Sequence, residues 1–391
     1  MREVVVVSAT RTAVGGFGGA LRDVPPIDLA EHIMREVVAR SGVAPEQIGK
    51  TIFGCCFAPA EQNITRSAAF KAGIPKEVPG FTINSTCGSS LQALISATQS
   101  ILCEESDIVV AGGVESMSNA PYLMDTARWG QRIQHLQALD LLWKGMQEPT
   151  IGVGMGLTAE NLAEKYGISR AEQDEFAVLS HRRAAKATQE GRFKAEIAPF
   201  AVPQRKKAPV IFDTDEHVRP DADMAMMSKL PAAFKKEGTV TAGNACGLND
   251  GASAVILMDA DTARESGLKP LARVKAYHVA GVDPDYMGIG PVPAIQGVLR
   301  KAGLNLGDVD RFEINEAFAA QYLACERELG LDRDKVNVYG NGISLGHPVG
   351  ATGTRLIVTL LHELIADDLG LGVASLCAGG GMGFAVLIER L

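Results

Sequence analysis

The apolar positions change period along the chain, and each change marks an element. Val4–Val7 is an unbroken β-branched run, the pattern of a strand buried on both faces. Leu29–Val38 has helical spacing, and Ser89–Leu102 repeats it with apolar residues at 91, 94, 95, 101 and 102. Phe81–Asn84 reads as a strand before that second helix. Asp107–Ala111 is another buried-strand run, expected to stop at Gly112-Gly113. This βαβ rhythm predicts an α/β protein with a largely parallel sheet covered by helices.

Between about 118 and 248 the pattern loses that rhythm. Both tryptophans (Trp129 and Trp143), a polar helix around Arg170–Gln189 and the basic cluster Arg205-Lys206-Lys207 fall here, with few strand-like runs. An inserted segment of helices and loops is the simplest account. Ala254–Met258 then returns as a strand to the first sheet. From about 270 the rhythm resumes with strand Ala272–Ala276, helix Ala294–Ala302, strand Arg311–Ile314, helix Glu316–Leu329 and helix Thr354–Leu364. Val373–Leu376 and Phe384–Glu389 are expected to pair around a glycine turn. Each half places a cysteine at a strand end beside glycines, which points to an ancient duplication.

Composition narrows the class. A chain of 391 residues accommodates two or three packed units. A formal charge of −8 argues against nucleic-acid partners but leaves room for a polyanionic small ligand held by a local basic patch. Seven cysteines without a CxxC pair resemble neither a disulfide framework nor a metal site, so a reducing, cytoplasmic setting is expected. Met-Arg-Glu leads straight into the first strand, leaving no room for a signal peptide. No apolar stretch is long enough to span a bilayer, so no membrane partner is expected. The terminus Glu389-Arg390-Leu391 is not the usual peroxisomal address.

Four short segments could carry chemistry. Cys87, in Asn84-Ser-Thr-Cys-Gly-Ser-Ser, precedes a helix whose positive end would favour the thiolate, although a buried inert cysteine fits the same pattern. His347, in Leu345-Gly-His-Pro-Val-Gly, sits in a rigid loop followed by the turn Gly350-Ala-Thr-Gly. Its imidazole could take a thiol proton and later donate to an oxyanion, and a surface histidine is the bland alternative. Asn315, in Asn-Glu-Ala-Phe, could anchor a water or donate to an oxyanion, but also suits a helix N-cap. Cys377 leads into Gly379-Gly380-Gly381, where backbone N–H groups could receive an oxyanion; a plain bend explains the glycines but not the thiol. One thiol with one imidazole suffices for acyl transfer. A second thiol suggests something narrower, because a second acid/base is needed when a carbon nucleophile must be made or quenched, and this points to carbon–carbon chemistry between thioesters.

Taken together these segments resemble the thiolases over essentially the whole chain. Asn84-x-x-Cys87-Gly-Ser, Gly113-Val-Glu-Ser-Met, Gly243-Asn-Ala-Cys-Gly-Leu-Asn-Asp-Gly-Ala, Asn315-Glu-Ala-Phe, Gly346-His-Pro and Cys377-x-Gly-Gly-Gly occur in the family's order. Phe212-Asp-Thr-Asp-Glu-His-Val-Arg, Ala280-Gly-Val-Asp-Pro and Gly288-Ile-Gly-Pro-Val-Pro-Ala are similar to the bacterial polyhydroxyalkanoate-type β-ketothiolases. The resemblance implies the thiolase fold: two duplicated βαβαβαββ halves in a five-layered α-β-α-β-α arrangement with an inserted loop domain. The halves would be 1–117 with 249–269 and 270–391, and the loop domain 118–248 would bind CoA and assemble a homotetramer, a dimer of dimers.

The resemblance also implies a ping-pong reaction, either condensation of acyl-CoA with acetyl-CoA or CoA-dependent thiolysis of a 3-ketoacyl-CoA. Cys87 would carry the acyl group, His347 would activate it, and Cys377 would be the second acid/base. Asn315 would hold a water, and the backbone of Gly379 would help receive an oxyanion. Arg219 would lie near the adenine and phosphates, Cys246 at the CoA contact, and Met155, Met287 and Phe318 along the acyl and pantetheine pocket. No cofactor or metal is implied, because CoA is itself a substrate. Three departures from the family pattern bear on chain length: Gly154 where a histidine is common, Cys246 in place of serine, and Ser90 in place of glycine. A ketoacyl synthase, the nearest rival, lacks a counterpart of Cys377. A silent CoA-ester binder would have lost a catalytic residue, and none is lost here. The stretch Gly15-Gly-Phe-Gly-Gly fails the dinucleotide fingerprint, whose third glycine would fall at Leu21.

Overall fold

The computed structural model describes residues 2–148 and 150–391. Strand β1 (Val4–Arg11) is followed by α1 (Pro26–Ser41), β2 (Lys50–Gly54), α2 (Ile64–Lys71), β3 (Gly80–Ile83), α3 (Ser89–Leu102) and β4 (Ile108–Ser116). The chain then leaves the sheet for the inserted segment. There α4 (Met155–Tyr166), α5 (Arg170–Gln189) and the hairpin β5 (Phe200–Gln204) and β6 (Lys207–Phe212) are its largest elements. It returns as β7 (Asn249–Asp259), which lies between β1 and β4 and is antiparallel to both. The second half runs β8 (Ala272–Gly281), α6 (Pro291–Ala302), β9 (Arg311–Ile314), α7 (Ala319–Leu329), α8 (Thr352–Ala366), β10 (Leu371–Ala378) and β11 (Met382–Arg390).

The strands form one ladder in the order β9-β10-β11-β8-β1-β7-β4-β2-β3, with Gly15–Gly16 added against β7. Within the ladder the two halves pair at Val5↔Arg273 and Val6↔Ala272. Either side of that seam the order is the same, so β1, β7, β4, β2 and β3 correspond to β8, β11, β10, β9 and a last strand. That last strand is reduced to a single bridge, Phe312↔Val336, so the second half is one strand short of the full βαβαβαββ repeat.

Period two explains why the strand runs are continuously apolar. Val5 and Val7 face an outer cluster with Leu29, Ile33 and Val37 of α1, while Val4 and Val6 face a central cluster. In that central cluster Leu91, Leu94 and Ile95 of α3 meet Leu356, Leu360 and Leu361 of α8 between the two half-sheets. A third cluster covers the outer face of the second half with α6 and α7, joined by Leu162 and Phe176 of the insert. The result is five layers, α-β-α-β-α, with α3 and α8 in the middle.

Several boundaries differ from the sequence pattern. β4 runs on through Gly112-Gly113 to Ser116 because α3 crosses close above it. A Cβ on Gly113 would lie 2.7 Å from Ser90 Cβ, and one on Gly54 2.6 Å from the Ser89 carbonyl carbon. Those glycines are packing contacts rather than strand ends. α7 begins at Ala319, leaving Glu316–Phe318 outside the helix. The inserted segment also contains more strand than the pattern showed, in the β5–β6 hairpin and two minimal ladders, Tyr122–Leu123 with Leu139–Asp140 and Gln147–Glu148 with Val153–Gly154. Finally, the two cysteines do not occupy duplicate positions. Cys87 lies between β3 and α3, whereas Cys377 lies within β10, the counterpart of β4. The duplication resides in strand order, not in the thiols.

Candidate active site

Cys87 sits on a strained turn. Thr86, immediately before it, adopts φ +51°, a left-handed conformation unusual for a β-branched residue. The Thr86 hydroxyl donates to Ser85 O at 2.8 Å and lies 3.2 Å from Gly379 O, tying the turn to the far half of the chain. Burial pushes the Cys87 thiol up to about 11, against opposing hydrogen bonds from the backbones of Gly379 and of Cys87 itself. The expectation that the helix end holds a thiolate is therefore not met. The leading N–H groups are already spent: Gly88 donates to Ser85 O and Ser89 to Thr86 O, each at 3.1 Å.

Cys377 pairs with Gly383 near the end of β10. Burial, and after it the neighbouring thiols Cys87, Cys325 and Cys246, hold its pKa well above the usual cysteine value. The turn that follows needs glycine, since Gly380 and Gly381 have φ +85° and +74°. The buried Glu148 accepts from Gly380 N–H at 2.9 Å and from Thr150 Oγ1 at 2.6 Å, anchoring this turn to the inserted segment.

His347 is buried, and its tautomer follows from its neighbours. Thr352 Oγ1 lies 2.9 Å from Pro348 O, a pure acceptor, so the hydroxyl donates there. Nδ1, 2.7 Å from the same hydroxyl, must then be the protonated nitrogen. Nε2 is left as an unprotonated, buried atom with no protein partner among the described residues. Burial and then the charge of Arg355 lower the ring to about 3, so it is neutral at physiological pH. The His347 N–H donates to Asn249 Oδ1 at 2.9 Å, which fixes the loop from behind.

Asn315 follows β9, its N–H donating to Ser375 O at 3.0 Å. Its side chain is fully buried, and neither amide atom has a protein partner among the described residues. It is not a helix cap, because α7 starts four residues later with Phe318 at the cap position. Glu316 beside it is spent on structure, accepting from Ser180 Oγ at 2.6 Å and Asn337 Nδ2 at 3.0 Å.

The pocket residues divide by position. Met155 opens α4, and its sulfur lies 3.5 Å from where a Cβ on Gly379 would be, against the turn that follows Cys377. Met287 and Phe318 are buried in the same apolar cluster as Cys377, with Phe318 edge-on to Phe234 at 6.0 Å. Cys246 donates its N–H to Ala317 O at 3.0 Å, and burial pushes its thiol to about 12. Arg219 is exposed, and no salt bridge to it occurs among the described residues; its N–H donates to His181 Nδ1 at 3.2 Å.

The departures have physical accounts. Gly154 caps α4, and a side chain there would meet the Gln147 amide at 3.4 Å. Ser90 has a structural use: its Oγ accepts from Thr354 N–H at 3.0 Å, joining the starts of α3 and α8. Sequence reasoning missed Thr352, Asn249 and Glu148. The first two lie inside quoted motifs, a usable signal. Glu148 stands alone in sequence and gave none.

The fold, with its paired thiols and a neutral buried imidazole, is that of an acyl-transferring enzyme. Residues 4–261 match the family model for the thiolase N-terminal domain and residues 268–390 that for the thiolase C-terminal domain. The chain is 50% identical over 393 residues to the beta-ketothiolase BktB of Cupriavidus necator, covering all of both chains. It is also 50% identical over 392 residues to an acetyl-CoA acetyltransferase of Pseudomonas aeruginosa, again with full coverage of both. Among solved structures, the Bacillus anthracis acetyl-CoA acetyltransferase superposes with TM-score 0.98 at 50% identity, covering 100% of this chain and 99% of that one. Human mitochondrial 3-ketoacyl-CoA thiolase in complex with CoA gives TM-score 0.96 at 43% identity, covering 100% and 98%. The chain belongs to the thiolase family, and its activity is that family's CoA-dependent acyl transfer and condensation.

Proposed function

We propose that the chain is an acetyl-CoA C-acetyltransferase that also accepts short to medium 3-ketoacyl-CoA, with the division of labour that follows. What carries it is the free, neutral Nε2 of His347 in a fold that brings Cys87 and Cys377 together, both thiols kept protonated by burial. Cys87 gives its proton to Nε2 as its sulfur attacks the thioester carbonyl. The C–S bond to CoA breaks, and Cys377 protonates the departing CoA thiolate. This leaves Cys377 as a thiolate whose raised pKa makes it a strong base. It takes an α-proton from a second molecule, acetyl-CoA, and the enolate oxygen is received by His347 and a water on Asn315. The carbanion attacks the acyl carbon, and the N–H groups of Cys87 and Gly379 receive the oxyanion; as the bond to Cys87 breaks, the departing sulfur takes back the proton held on His347 Nε2. Thiolysis runs the same steps backwards.

Arg219, exposed and unpaired among the described residues, suits the CoA phosphates, and Cys246, Met155, Met287 and Phe318 suit the pantetheine and acyl portions. No described helix is long and apolar enough to cross a membrane. The exposed Tyr122, Trp129, Ile133 and Leu136 of the inserted segment support a homotetramer. Light scattering should give four chains for the wild type and two for Trp129→Asp; a wild-type monomer contradicts the assembly.

Thiolysis of acetoacetyl-CoA beside 3-ketohexanoyl-CoA and 3-ketooctanoyl-CoA tests the substrate range. Glycine at 154 leaves room for the longer chains, so activity on at least the six-carbon substrate is expected. Activity confined to acetoacetyl-CoA removes the broader range, and silence on all three removes the proposal.

A further inference from the structure

The reaction just described makes no use of Glu115, in Gly113-Val-Glu-Ser-Met, although its setting is unusual. The carboxyl is fully buried and has no cationic partner among the described residues. Burying a carboxyl in this way is costly unless its oxygens are hydrogen-bonded. Oε1 accepts from Phe57 N–H at 3.0 Å, and Oε2 accepts from both Cys56 N–H at 3.0 Å and Gly350 N–H at 2.9 Å. The Cys55 sulfur lies 3.7 Å from Oε1.

These donors come from opposite halves of the chain. Cys56 and Phe57 follow β2, and Cys56 Sγ donates onward to Thr86 O at 3.3 Å, next to Cys87. Gly350 lies three residues beyond His347. The same strand end grips that loop a second time, since Met117 Sδ accepts from Asn249 N–H at 3.3 Å and Asn249 Oδ1 accepts from His347 N–H at 2.9 Å.

We propose that Glu115 is a positioning residue: its Oε2 clamps the loop carrying His347 to the loop beneath Cys87, fixing base and nucleophile relative to each other across the boundary between the halves. The proposal rests on the reading of Cys87 and His347 as nucleophile and base. A glutamine has the same shape but cannot satisfy all three N–H groups, because one of its terminal atoms is itself a donor.

Glu115→Gln tests this in the full-length protein. Thiolysis kcat for acetoacetyl-CoA should fall on the order of 10²-fold, the scale expected for a small misplacement of reacting groups. KM should stay within about twofold, because no substrate contact is removed. Amide exchange in peptides covering 55–57 and 346–351 should accelerate together. Unchanged kcat, a loss confined to KM, or acceleration of one peptide alone overturns the clamp. If the glutamine variant does not fold, Glu115→Asp, which keeps both acceptors on a shorter stem, is expected to give the same kcat-selective loss. A wild type inactive on every ketoacyl-CoA would overturn the reading of Cys87 and His347, and the clamp with it. An active wild type matched by an equally active Glu115→Gln would remove the clamp alone.

Discussion

At the scale of single residues, protonation decides what the site can do. His347 is enclosed, and both burial and the charge of Arg355 disfavour its cation, lowering it to about 3. A base must be neutral to accept a proton, and this ring is neutral at every pH above that value. The kcat/KM for thiolysis should therefore show no acid limb near 6.5, the ordinary value for imidazole. A limb with its midpoint near 6.5 in the wild type, absent from a His347 variant, would contradict the assignment. The sequence showed which residues to watch, because thiols and imidazole stood in glycine-rich turns. It could not show their ionisation. The helix after Cys87 suggested a thiolate, yet the N–H groups of Gly88 and Ser89 are taken by Ser85 O and Thr86 O, and burial raises the thiol. That outcome depends on three-dimensional enclosure, which no local pattern records.

At the scale of elements, strands and helices buried on both sides were the most legible, because period and length speak together. Ser89–Leu102 and Arg311–Ile314 fall where the pattern placed them. Glycines misled in β4, where Gly113 reads as a stop but serves as a crossing point under α3. Gly113→Ala would put a Cβ 2.0 Å from Gly350 O and 2.7 Å from Ser90 Cβ, and neither backbone can move freely. We expect a loss of about 1–3 kcal/mol, the usual cost of overpacking, measured by chemical denaturation. A variant as stable as the wild type would mean that α3 and the His347 loop yield more readily than their packing indicates. The inserted hairpin β5–β6 was illegible for another reason. Its residues 203–211 are all exposed, so no alternation of burial marks them as strand.

At the scale of the whole molecule, the candidate site draws on distant segments. Cys87 comes from the first half, Asn315, His347 and Cys377 from the second, and Glu148 and Met155 from the insert. A buried ion network shows the same interdependence. Arg11 of β1 binds Glu196 at 2.6 Å and Asp215 at 2.7 Å, both in the insert. Ordered motifs identified the participants, but their meeting places, such as Thr86 against Gly379, became visible only in the assembled fold. In the proposed reaction one thiol carries the acyl group while the other moves protons at carbon. Intact-protein mass spectrometry with acetyl-CoA, alongside an assay for acetoacetyl-CoA formation, tests it on the wild type, Cys87→Ala and Cys377→Ala. An acetyl adduct without condensation is expected for Cys377→Ala, and neither adduct nor condensation for Cys87→Ala. Equal acetylation of both variants, or condensation by Cys377→Ala at the wild-type rate, would contradict it.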